Sequence, residues 1–152
     1  MIMKDMVISI TGVQAGPEGP EALELITHGS YGQEKDKTTI CYEETDLLGE
    51  EGTKVTFQVS PRRVELTREG EVKSHMVFEE GQKNYCLYET PFGDLTMGIN
   101  TNRVRSRMGP RGGYMELDYL LDLNASPVGR SRFHIFVKEP EESHSGDVRW
   151  PI

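Results

Sequence analysis

Helix signals are nearly absent from this sequence. No long window spaces its apolar side chains at intervals of three and four, and glycine (16 residues) and proline (8) recur along the whole chain. Long hydrophobic runs are missing too: nothing approaches the roughly 20 apolar residues of a membrane-spanning helix. Met1-Ile2-Met3-Lys4-Asp5-Met6 has no apolar stretch of signal-peptide length, so the expected location is the cytosol, without membrane attachment. Positive charge is in short supply. Lys and Arg number 17 against 25 Asp and Glu, a formal net charge of −8, so the expected partners are not polyanions and nucleic acid is not among them.

Signatures of chemistry are equally scarce. The two cysteines, Cys41 and Cys86, sit inside strand-like runs with no CxxC spacing and read as buried free thiols. His28, His75, His134 and His144 are too dispersed for metal-ligand spacing, and no GxSxG, HExxH, P-loop or dinucleotide fingerprint occurs. Neither a metal, a cofactor nor a catalytic residue is expected, and without a visible acid/base pair the chain reads as a non-enzyme.

What the sequence does contain is strand. The stretch from Tyr85 to Leu123 reads as three consecutive antiparallel strands with both connections spelled out. In Glu89-Thr90-Pro91-Phe92-Gly93-Asp94, Pro91 and Gly93 suit a three-residue hairpin loop with a bulge. Thr90 then faces Asp94, Leu87 faces Met97 and Tyr85 faces Ile99, which predicts Tyr85, Leu87 and Glu89 on the core side. The second connection, Gly109-Pro110-Arg111-Gly112, pairs Met108 with Gly113, Arg105 with Glu116, Val104 with Leu117 and Arg103 with Asp118. Continued unchanged, that register would set Ile99 against Asp122, although the core face of the third strand is Met115, Leu117, Tyr119, Leu121 and Leu123. One extra residue near Asn100 to Asn102 resolves the conflict, so a β-bulge is predicted there.

Further alternating runs cover Met6 to Gln14, Ala22 to Gln33, Thr38 to Asp46, Lys54 to Val59, Arg62 to Arg68, Val72 to Glu79 and Gly129 to Lys138. A meander of this kind would leave exposed edges as an open sheet, and closure removes them. The predicted fold class is all-β, a closed up-and-down antiparallel β-barrel of about eight to ten strands. Residues 1–138 form its single domain, and 139–152 are an acidic, mobile tail that Trp150 could anchor.

The segments Leu66-Thr67-Arg68-Glu69-Gly70, Met76-Val77-Phe78-Glu79-Glu80-Gly81 and Tyr88-Glu89-Thr90-Pro91-Phe92-Gly93, followed by Thr101 and Asp118-Tyr119, occur in an order that resembles the YwiB-like family of small bacterial proteins of unknown function. The likeness runs from about Met6 to Val137. It implies a calycin-like barrel related to lipocalins and a bacterial cytosolic setting, with no activity, cofactor or catalytic residue to carry over.

Two candidate sites follow. Tyr42, Tyr85, Tyr119, Phe57, Phe78 and Phe133 point inward on this alternation, and Glu89 with Arg62 or Arg68 could orient the polar end of a ligand in the interior. The expected partner is then a small, partly apolar molecule. The alternative is a protein-interaction module using the outer wall, where Arg103, Arg105, Arg107 and Arg111 form a basic row ending in a glycine-rich loop able to receive an anion. The same row also reads as a solvated face paired with Glu116 and Asp118, and RNA is disfavoured there because no aromatics interleave with the arginines on that strand.

Overall fold

A computed structural model of the chain describes residues 1–16, 18–45 and 52–141. Ten strands account for nearly all of them: β1 (Lys4–Gln14), β2 (Glu21–Glu34), β3 (Lys37–Thr45), β4 (Gly52–Ser60), β5 (Arg63–Glu69), β6 (Lys73–Glu79), β7 (Lys83–Thr90), β8 (Gly93–Gly109), β9 (Gly112–Leu123) and β10 (Ser126–Lys138). Each pairs antiparallel with its neighbour in sequence, and β1 pairs with β10 from Val7↔Lys138 to Val13↔Arg132, which closes the barrel. Period-two alternation drives this arrangement. On β1, Met6, Ile8 and Ile10 are buried; on β4, Val55, Phe57 and Val59; on β6, Met76 and Phe78.

The β8–β9 pairing has the register expected from the sequence, including Arg105↔Glu116, Arg103↔Asp118 and Val104↔Leu117. The bulge is also present. Register shifts between Thr101 and Arg103, so that Ile99 meets Leu121 and Met97 meets Leu123. Asn102 and Arg103 both turn outward there, and Asn102 is not among the residues with positive φ.

The β7–β8 pairing departs from expectation by one residue. Thr90 pairs with Gly93, leaving Pro91-Phe92 as a two-residue turn, and Tyr85 faces Gly98 while Cys86 faces Met97. The Thr90 hydroxyl tightens this turn by accepting from Phe92 N at 3.1 Å and donating to Gly93 O at 2.8 Å. A one-residue slip exchanges the two faces of a strand. Asn84, Cys86 and Tyr88 therefore point inward, and Tyr85, Leu87 and Glu89 point out.

The barrel is filled at one end only. Around the β2–β3 and β8–β9 connections, Met6, Ile8, Tyr31, Ile40, Val64, Ile99 and Met115 are packed almost free of solvent. Tyr31 spans this floor from β2, donating its hydroxyl to Gly109 O at 2.6 Å. Toward the opposite end the wall loosens between β2 and β3. Strands β2 and β3 pair only between Ser30↔Cys41 and Glu34↔Lys37, although β1–β2 pairing runs on to Gln14↔Glu21 and β3–β4 pairing to Thr45↔Gly52. Gly29 lies where they part, and a side chain there would collide with Cys41 O and the Ile8 side chain. Strands β6 and β7 share only Lys73↔Glu89 and Ser74↔Tyr88, at the open end, and part from each other toward the packed one.

Where the expected tail starts, Glu139 accepts from Arg111 at 3.1 Å and from Lys4 at 3.3 Å. Residues 142–152, with Trp150, lie outside the described residues, as does Asp46 at the predicted end of β3.

Candidate functional site

The half of the barrel that is not packed holds a cavity of about 650 Å³. That is within the range of pockets that take one small ligand. Its wall is aromatic and aliphatic: Tyr42, Phe57, Phe78, Tyr88, Tyr119 and Phe133 supply rings, and Leu66, Met76, Met97 and Leu117 fill between them. Tyr119 packs against Phe78 with ring centroids 4.8 Å apart and against Phe133 at 6.4 Å. Leu25 and Thr27 of β2 and Tyr42 and Glu44 of β3 line the cavity on either side of the gap where those strands diverge.

Polar side chains interrupt this surface: Gln14, Glu24, Thr27, Glu43 and Ser131 also line it, and one cluster gathers around Arg68. Arg68 points inward from β5, and its guanidinium donates to Glu44 Oε1 at 2.6 Å. Burial pushes the Tyr42 hydroxyl up to about 12, with Glu44 adding and Arg68 opposing. Burial likewise raises Tyr119, against the opposing effects of Ser131 and Arg68. Both phenols therefore stay protonated and able to donate at neutral pH. Arg68 carries five N–H donors, and Glu44 is its one ion-pair partner among the described residues. Arg68, Tyr42 and Tyr119 together present more N–H and O–H donors than Glu44 takes up, so chemically they suit an acceptor group brought by a ligand.

Of the interior residues expected from the sequence, Tyr42, Arg68 and Tyr119 come together here, with Phe57, Phe78 and Phe133 on the same wall. The other three do not. Tyr85 lies on the outer face, 68% exposed, with Lys83 Nζ 5.3 Å from its ring centre. Arg62 sits in the β4–β5 turn with φ 64°, 3.8 Å from Glu80. Glu89 faces outward and lines, with Arg68, Ser74 and His75, a separate hollow of about 440 Å³ on β5–β7. Sequence reasoning missed Glu44, Ser131 and Tyr88. Alternation from Tyr42 and Phe133 would have found Glu44 and Ser131; Tyr88 was hidden by the slipped register.

The arginine row is placed as expected but partnered differently. Asp118 is gripped by Arg130 at 2.9 and 2.6 Å and approached by Arg132 at 3.7 Å. The Arg130 guanidinium holds the Asp118 carboxyl below the usual range in spite of its burial. Glu116 lies 3.9 Å from His134. Arg103, Arg105 and Arg107 are exposed, and Arg111 donates to Glu139 with its side chain 83% exposed.

The two cysteines are free and half-buried, Cys86 on the inner face and Cys41 beside Thr56. Among the described residues, no three His, Cys, Asp or Glu side chains gather as a metal site would require, and no helix is long and apolar enough to cross a membrane.

Fold and site together define a closed ten-stranded antiparallel barrel with an aromatic-lined interior left open at one end. The model of a family described as a domain of unknown function (DUF1934) matches residues 8–135, and the chain belongs to that family. It is 28% identical over 99 residues to the uncharacterized beta-barrel protein YwiB of Bacillus subtilis (strain 168), covering 65% of this chain and 68% of YwiB. The crystal structure of the ywiB protein from Bacillus subtilis is similar with a TM-score of 0.78 at 23% identity, over 91% of this chain and 94% of that one.

Proposed function

We propose that the protein binds one small, partly apolar molecule inside the barrel, with the ligand's hydrogen-bond-accepting end held by Arg68, Tyr42 and Tyr119. The observation that carries this reading is the unfilled interior of about 650 Å³, walled by aromatic and aliphatic side chains around the Arg68, Tyr42 and Tyr119 donors. A chain that needed only a core would gain stability by filling such a volume. The gap between β2 and β3 provides a way in without disturbing the packed floor.

Native mass spectrometry and thermal-shift screening of the purified protein against a metabolite extract test the proposal. The expected result is a single retained mass adduct and a raised melting temperature, both lost when the half-buried, cavity-lining Leu121 is enlarged (Leu121→Trp). Retention of the same adduct by the filled variant would place the ligand elsewhere and remove the proposal.

A further inference from the structure

The outer wall of β8, β9 and β10 carries a second assembly, independent of the interior. Strand register sets Arg107 beside Tyr114 and Tyr114 beside Phe136, and one row along it sets Arg105 beside Glu116 and Glu116 beside His134. Phe136 is 50% exposed and Tyr114 38%. Their ring centres are 6.1 Å apart, and His134 lies over Phe136 at 6.5 Å with the planes only 12° from parallel. Three ring systems thus make one continuous exposed platform, flanked by arginines.

The charges on this face are lopsided. Around the rings Arg103, Arg105, Arg107, Arg130, Arg132 and Lys138 project outward against Glu116 and Asp118, while Asp94 and Asp122 lie further along the same strands, Asp122 paired with Lys83. Asp118 is engaged by Arg130 and Arg132, and Glu116 has His134 at 3.9 Å. Arg103, Arg105 and Arg107 have no carboxylate partner among the described residues. In a chain with a formal net charge of −8, this is a local reversal of sign.

We propose that this face binds single-stranded nucleic acid, with unpaired bases stacking on Phe136, Tyr114 and His134 and phosphates lying along the arginine row of β8. Every base offers a π-face to an exposed ring, and the arginines supply sequence-independent attraction to the backbone. Arg105 and Arg107 are two residues apart on one strand, roughly 6.8 Å, close to the separation of successive phosphates in an extended single strand. A duplex keeps its bases stacked on one another and cannot use the rings. An acidic protein segment would use the arginines but leave the stacked rings without a role. The sequence expectation against nucleic acid rested on the net charge of −8 and on the lack of aromatics interleaved with the arginines on their own strand; here the charge is locally reversed and the rings stand on β9 and β10.

Fluorescence anisotropy of the full chain with a labelled oligo(U) or oligo(dT) of about 12 nucleotides tests the assignment. Saturable binding is expected, roughly 20-fold weaker at 200 mM than at 50 mM salt for three neutralised phosphates. Phe136→Ala should weaken it about tenfold, and the double variant Arg105→Glu/Arg107→Glu should abolish it. Because these side chains are exposed, melting temperature and circular dichroism should not change. Absence of saturable binding at low salt, or unaltered binding by Phe136→Ala, overturns the proposal. So does equal competition by a polyglutamate peptide, which would make the face a dock for an acidic protein.

Discussion

The guanidinium of Arg68 and the carboxylate of Glu44 meet at 2.6 Å inside the barrel wall, each about a third exposed at the side chain. Such a pair is worth about 1 kcal/mol or less, because solvent screens it. Its weakness makes it exchangeable: a ligand acceptor can replace Glu44, which sits by the open side of the barrel. A fluorescent amphipathic anion such as anilinonaphthalene sulfonate provides a probe. Glu44→Gln is expected to tighten its binding severalfold by freeing Arg68, and Arg68→Met to abolish the fluorescence gain. Equal titration curves for all three proteins would mean that the cluster does not orient ligands.

Tyr31 is expected to act as a strut. Its hydroxyl is buried and donates to Gly109 O, so Tyr31→Phe removes one hydrogen bond and leaves a carbonyl short of its donor. The cost should be about 1–2 kcal/mol, a fall of roughly 3–8 °C in melting temperature for a domain of this size. Differential scanning calorimetry measures it, and a change under one degree would show that solvent reaches the floor.

Asp118 sets part of the acid limb of stability. Its folded pKa is depressed, chiefly by the hydrogen bonds from Arg130. The stabilisation is therefore fully present above the unfolded value near 4 and is lost as pH falls through the lower folded value. Asp118→Asn should lower the urea midpoint at pH 7, and its curve should approach that of the parent protein as pH falls below about 4 through the depressed folded value. Parallel curves over that whole range would refute the linkage.

Cys86 should be a sluggish nucleophile. Burial pushes its thiol up to about 11, so at pH 8 its thiolate fraction is on the order of a hundredfold below that of a free cysteine. Iodoacetamide labelling followed by peptide mass spectrometry should find Cys86 modified about a hundredfold more slowly in the folded protein than in urea. Comparable rates in the two states would place the thiol in solvent.

How much of this could be read from the residues is clearest along β7, β8 and β9. The β8–β9 register was legible because Arg103 and Arg105 face acids in the same frame that sets Val104 against Leu117, and the clash of Ile99 with Asp122 exposed the bulge. The β7–β8 register was not legible. Pro91-Phe92-Gly93 supports a two- or a three-residue loop, and a side-chain bond from Thr90 decides between them. That single choice misplaced Tyr85 and Glu89 and hid Tyr88. The cavity was beyond reach for another reason: it is the small difference between the lumen and the summed volumes of its side chains, which alternation does not measure. Phe136 and Tyr114 were visible as residues, but their neighbourhood with Arg107 exists only once three strands lie in register.

The seam between β1 and β10 joins Val7 to Lys138 and Ile8 to Val137, residues from opposite ends of the barrel's chain. Hairpins such as β8–β9 need only short loops to form, whereas this contact must draw in nearly the entire polypeptide. It should be made late, leaving two sheet edges briefly open to other molecules during refolding. Trimming the seam with Ile8→Val should then quicken unfolding in stopped-flow experiments while refolding keeps its pace. The join that completes the wall would also be the first to part.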